Sequence, residues 1–148
     1  MTNPGKVIID TSWVLTASFV VTATAAAANP SWFAWPALIV ALGLFGIGSV
    51  TMLWGFWGAV QRSRHEVISV AGLYFGAGSA PRDVRVQLLG ATVVQLVVSI
   101  TTALIRPFTS LAFGTLVPIC GLGLMGLWAA RHGTFPRRHG PGAAGTSN

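Results

Sequence analysis

The chain has 148 residues, 53% hydrophobic and only 8% charged. A water-soluble domain carries about 25% charged residues, and a chain this short cannot wrap so much apolar sequence in a polar shell, so a soluble globular class is excluded. The net charge is +6; its cations sit in short clusters beside apolar tracts, with no basic recognition helix and no RNP motif, which sets nucleic-acid binding aside.

Three tracts contain no Asp, Glu, Lys, Arg or His: 11–61, 86–105 and 107–130. A helix needs about 20 apolar residues to cross a hydrocarbon core of roughly 30 Å. The first tract is long enough for two crossings and the others for one each. The predicted fold class is therefore all-α: an integral membrane bundle of four transmembrane helices, residues 1–132, followed by a tail at 133–148. The partner that composition demands is the lipid bilayer itself.

The first span is predicted at 8–28, IIDTSWVLTASFVVTATAAAA. Its Ala-rich end resembles a secretory signal, but the preceding flank offers only Lys6, offset by Asp10, so it is read as a span. Rich in Ala and Thr, it makes a poor lipid-facing surface and is expected among the best covered helices, with a homodimer as one way to cover it. Asn29-Pro30 ends it, because proline cannot continue the helical ladder. The second span is predicted at 36–60, with Pro36 in its first turn. Its small residues Ala37, Ala41, Gly48, Thr51, Gly55 and Gly58 form a stripe that admits a close neighbour.

Residues 67–81, VISVAGLYFGAGSAP, are apolar but only about 22 Å long even as a perfect helix. If they crossed the membrane, the charge bias between the two sides would vanish, so a short interfacial helix is expected between the second and third spans. Gly72 and Gly76 form a GxxxG, which reads either as a packing or dimer contact or as a flexible glycine-rich piece. The third span is predicted at 84–105 and the fourth at 109–130, joined by a tight turn at Arg106-Pro107-Phe108, with Gly133 as the stop. The tail from Gly133, rich in Gly and Pro, is expected to be disordered.

Four crossings put every Lys and Arg on one side except Arg106. By the positive-inside rule that side is cytoplasmic, so both termini are expected in the cytosol of a bacterial cell, with the protein in its plasma membrane. Trp32 and Trp35 fall at the outer boundary and Trp13, Trp54, Trp57 and Trp128 at the inner one, where indole rings prefer to sit.

The third span carries a polar stripe: Arg85, Thr92, Gln95, Ser99, Thr102 and Arg106 recur at steps of three, four and seven. Polar groups have no partner in lipid, so the stripe is expected to face the bundle or another subunit. Pro118 lies within the fourth span and in an α-helix would strip the Gly114 carbonyl of its donor. The hairpin register places Gly114 at about the depth of residue 100. Gln95 or Ser99 is therefore expected to donate to that carbonyl, with a water or a hydroxyl of the first span as competitors; Gln95→Leu would then lower stability. Thr92, Gln95, Ser99, Thr102, Arg106, Gly114 and Pro118 are the candidate packing residues.

No reaction chemistry is legible. Asp10, Glu66 and Asp83 lie near the inner boundary, Glu66 and Asp83 beside arginines with which they are expected to pair. His65, His132 and His139 fall in inner loops or tail, with no metal or haem spacing. No nucleophile–base pair or phosphate loop is present, so no enzyme and no cofactor is expected. The one cysteine, Cys120, lies within the last span and is read as a packing residue. An accessory or structural subunit, packed on itself or in a larger membrane complex, is the leading expectation. A small transporter or channel is the alternative, for which Asp10 would have to supply the ionisable group.

RPFTSLAFGTLVPICGLGLMGLWAARHGTFPRR (106–138), with ISVAGLYFGAGSAPRDVR (68–85) before it, resembles small four-span integral membrane proteins of unknown function from actinobacteria. The resemblance implies location and topology, and assigns no activity or functional residue.

Overall fold

The computed structural model describes residues 5–105 and 109–137. The described segments are helical apart from turns and one isolated bridge. Helix α1 runs Lys6–Ala28. A single residue, Asn29, links it to α2, Pro30–Arg62. The short α3 is Val70–Tyr74, α4 is Arg82–Ile105, a 3-10 helix covers Ser110–Leu116, and α5 is Pro118–His132. Four helical stretches are long and apolar enough to cross a membrane: Lys6–Ala28, Pro30–Arg62, Arg82–Ile105 and Leu111–His132. The architecture is that of a small multi-pass membrane protein.

The core stacks in three layers along the bundle. One end joins Ile9 of α1, Ala59 of α2, Leu88 of α4 and Trp128 of α5. The middle joins Phe19, Leu44, Val117 and Cys120. The far end joins Ala26, Ala37 and Leu111. The starts of α1 and α4 thus meet the ends of α2 and α5, and the chain runs up and down as the hydrophobic tracts require. We call the end that holds Lys6, Arg62, Arg82 and Arg131 the basic face.

Helices α2 and α5 run parallel and are in the closest contact. A Cβ built on Gly48 would lie 2.5 Å from the Cys120 amide nitrogen, and one on Gly55 would lie 2.7 Å from the Gly126 carbonyl carbon. Gly123 faces back onto the Gly48 carbonyl. Only bare backbone fits there, and dispersion across the contact supplies the association energy. The last span, Leu111–His132, is accordingly the central one: 61% of its most apolar stretch is buried, against 33% for α1 and α4 and 22% for α2.

Several expectations change. α1 is no better covered than α4. Its exposed hydroxyls satisfy themselves on their own helix: Ser18 donates to the Val14 carbonyl at 2.9 Å and Thr24 to the Val20 carbonyl at 2.6 Å. The second helix begins at Pro30, not 36. Pro30 takes the first helical position, where its missing N–H is no loss. Pro36 lies inside the helix and withholds a bond only from the Trp32 carbonyl, at a level where Trp32 itself is 79% exposed. At 33 residues, α2 is about 50 Å long, so its ends reach the headgroup layers.

The interfacial helix lies where the sequence places it, but it is only five residues long. Ser69 opens it, its hydroxyl accepting from the Gly72 amide at 3.0 Å. It stops before Gly76, whose φ of 62° is a left-handed turn. Gly72 and Gly76 therefore share no helix face, and the GxxxG is not a helix-packing motif. Tyr74 instead ties the segment to the bundle: its ring lies over Gly126 and its hydroxyl donates to the Met52 carbonyl at 3.2 Å. Burial pushes its phenol pKa up.

Residues 133–137, expected to be disordered, are docked on the basic face. The Val67 amide donates to the Pro136 carbonyl at 2.8 Å and the Thr134 amide to the Ser79 carbonyl at 3.0 Å. The rest of the expected tail, 138–148, lies outside the described residues. Arg62 clamps the end of α5, donating to the Ala130 and Gly133 carbonyls, each at 3.0 Å. Glu66 lies 2.8 Å from the same guanidinium, a partly exposed ion pair of small net worth. Charge-assisted bonds to otherwise orphaned helix-end carbonyls matter more. Arg62→Gln is expected to destabilise the fold by about 1–3 kcal/mol and to speed proteolysis at 133–137. Arg62→Lys should recover less than half, because an ammonium cannot fork across both carbonyls. Equal proteolysis of all three proteins would dismiss the clamp.

Candidate functional site

The polar residues of α4 come together with α1 in the interior. Gln95 and Ser99 are fully buried, Thr102 is 4% exposed and Thr92 9%. Arg85, at the basic end of the same stripe, is exposed. Arg106, at its other end, lies outside the described residues. The spacing of the inward positions follows from 3.6 residues per turn, which brings steps of three, four and seven onto one face.

The hydroxyls of the stripe do not reach across the bundle. Thr92 donates to the Leu88 carbonyl, Ser99 to Leu96 and Thr102 to Val98, each at 2.9 Å. A serine or threonine hydroxyl on a helix can turn back onto the carbonyl three or four residues earlier. The stripe is therefore polar in name and nearly satisfied by its own backbone. A glutamine has no such local route and must look elsewhere.

Gln95 finds α1. Its Nε2 donates to the Thr16 hydroxyl oxygen at 2.7 Å, and that hydroxyl donates to the Ser12 carbonyl at 2.7 Å. Ser12 and Thr16 are also almost wholly buried. The result is a short relay, amide to hydroxyl to carbonyl, linking two parallel helices near mid-depth. It is incomplete: among the described residues Gln95 Oε1 and the Ser12 hydroxyl have no hydrogen-bond partner. The missing signal in the sequence was on α1, where Ser12, Thr16, Phe19, Ala23 and Ala26 form a buried stripe at steps of three and four.

The proposed bond to the Gly114 carbonyl is not made. The fourth span is not one α-helix. Its first part, Ser110–Leu116, is a 3-10 helix, and the Val117 amide donates to the Gly114 carbonyl at 3.0 Å. The i to i+3 bonding of that segment supplies the donor that an α-helical reading had withheld through Pro118. Pro118 then stands at the first position of α5, where its ring is tolerated. The depth match does hold: Gly114 lies against Ser99 and the Phe19 ring, and Gly121 against Thr92. What changed was the bonding pattern, not the register. A 3-10 run of seven residues is long, since such runs rarely exceed about four. One side of it, Leu111 and Gly114, is buried against the bundle beside Phe19 and Ser99, while Ala112, Phe113 and Thr115 are exposed.

Ionisable groups stay away from this centre. Asp10 and Asp83 are exposed near the starts of α1 and α4, His65 and His132 are exposed on the basic face, and Glu66 lies by Arg62. Trp128 is buried with His132 at 5.7 Å between ring centroids, and Arg131 lies over Trp54. Among the described residues no group of three or more His, Cys, Asp or Glu is placed to hold a metal. Cys120 is buried and free. The arrangement can orient α1 against α4. Comparison with known proteins found no matching family model, no matching curated protein and no matching solved structure.

Proposed function

We propose that this chain is a non-enzymatic accessory protein of a bacterial plasma membrane, acting by packing one of its helices against a second copy or a larger membrane complex. One observation carries the reading. The outward face of α2 holds Gly43 and Gly46, and neither has any atom within 4 Å of where a Cβ would stand. Exposed Ile39, Leu42, Ile47 and Val50 surround them. Elsewhere on α2, Gly48 and Gly55 already serve the contact with α5. Glycines are not needed to face lipid tails, whereas a notch of bare backbone suits a neighbouring helix. The positive-inside rule supports a basic face turned to the cytoplasm.

The test is association in mild detergent. With Cys120→Ser as background, Gly43→Cys or Gly46→Cys should cross-link to a partner or a second copy. The double change Gly43→Leu and Gly46→Leu should abolish association while leaving the melting temperature within about 2 °C, a surface-like effect. A chain that stays monomeric and alone through mild solubilisation would sink the proposal.

A second reading, a small transporter or channel, is favoured by the broken fourth span, because discontinuous helices mark the substrate sites of many transporters. Proton-driven flux into vesicles that disappears in Asp10→Asn would select it over the accessory role.

A further inference from the structure

One place on the surface joins an apolar hollow to an uncommitted cation. The last turns of α2 and the segment 68–74 flank an open hollow of about 110 Å³ lined by Phe56, Ala59, Ile68, Val70, Leu73 and Tyr74. Val60 also borders a wider hollow of about 360 Å³ lined by Trp57, Gln61 and Arg64. The depth is informative. The uncharged stretch of α2 ends at Gln61, and Arg62 and Arg64 follow at once, so the hollow opens where hydrocarbon gives way to headgroups. Its rim stays apolar at that level: Val70 is 70% exposed, Phe56 54% and Val60 46%.

The two arginines differ. Arg62 is occupied by the carbonyls of α5. Arg64 is exposed and, among the described residues, makes no ion pair. The geometry points to a site for one anionic phospholipid, with part of an acyl chain in the hollow and the phosphate on the Arg64 guanidinium. A soluble anion would meet the cation but leave the hollow empty. A zwitterionic lipid would fill the hollow but answer the cation with a neutral headgroup. Both lipids offer a phosphate that the planar guanidinium suits, but only the anionic one leaves its negative charge uncompensated by a cation of its own, so it complements both features best.

Native mass spectrometry of the full chain in mild detergent tests this, with phosphatidylglycerol, phosphatidylcholine or inorganic phosphate added in turn. One phosphatidylglycerol per chain should be retained about fivefold more strongly than phosphatidylcholine, the factor one arginine supplies at an anionic surface. Inorganic phosphate should not displace it. Arg64→Gln should reduce phosphatidylglycerol to the phosphatidylcholine level, and Arg64→Lys should keep part of the preference. Val60→Trp, which adds bulk at the residue bordering both hollows, should weaken both lipids. Equal retention of the two lipids, displacement by phosphate, or an Arg64→Gln protein that binds as before would each overturn the site. Arg64 is exposed, so its variants test the proposal even if Val60→Trp does not fold.

Discussion

Gly48→Val is expected to destabilise the fold by about 3 kcal/mol, the upper end of overpacking, while Gly43→Val on the same helix changes it by less than about 0.5 kcal/mol. The two sites differ in what a Cβ would meet. At Gly48 the atoms in the way are the backbone of Ile119 and Cys120. Backbone of a buried neighbouring helix cannot swing aside as a side-chain end can, so α2 and α5 would have to separate. That separation forfeits the contacts that Gly55 and Gly123 make along the same seam. At Gly43 nothing stands within 4 Å. Thermal unfolding of both variants in one detergent checks the contrast. Similar losses at the two positions would mean that the α2–α5 seam is not the source of stability.

Thr16→Val is expected to cost more than Gln95→Leu, although the glutamine is the larger and more polar residue. A hydrogen bond between membrane helices is worth about 0.6 kcal/mol on average and rarely above about 1.7 kcal/mol. Leaving a buried polar group unpaired costs about 1–3 kcal/mol. Gln95→Leu removes one bond but also removes Oε1, already without a partner, so the net change is close to zero or stabilising. Among the described residues, Thr16→Val strips the Gln95 amide of its only acceptor and leaves the whole group unsatisfied, at a loss of about 1–3 kcal/mol. The double variant should recover most of what Thr16→Val loses. A double-mutant cycle by thermal or denaturant unfolding measures this. A large loss in Gln95→Leu with none in Thr16→Val would show that the relay does not hold Gln95 as the structure has it.

The reversal at Gln95 shows how far the sequence was legible. Spans could be read because hydrocarbon imposes a length and forbids charge, and the up-and-down order of α1, α2, α4 and the last span follows from that. The inward face of α4 was legible for the same reason. Bond partners were not. Whether Pro118 frees a carbonyl depends on whether the preceding residues wind as 3-10 or α, and Ser110–Leu116 carry no residue that dictates either. Arg62 read as one basic residue among several, and its clamp on Ala130 and Gly133 depends on where α5 ends in space. The start of α2 was misjudged because Pro30 and Pro36 are both acceptable near a helix start, and only the single-residue link at Asn29 decides between them.

That link at Asn29 has a consequence for how the molecule can be approached. Between α1 and α2 a single residue turns the chain, and only three separate Ile105 from Thr109. Opposite the basic face, then, the Asn29 link leaves no loop between α1 and α2 to project into water, and an antibody or soluble enzyme arriving at that link finds little to grip. Among the described residues the longer connecting segments, 63–69, 75–81 and 133–137, are gathered on the basic face instead.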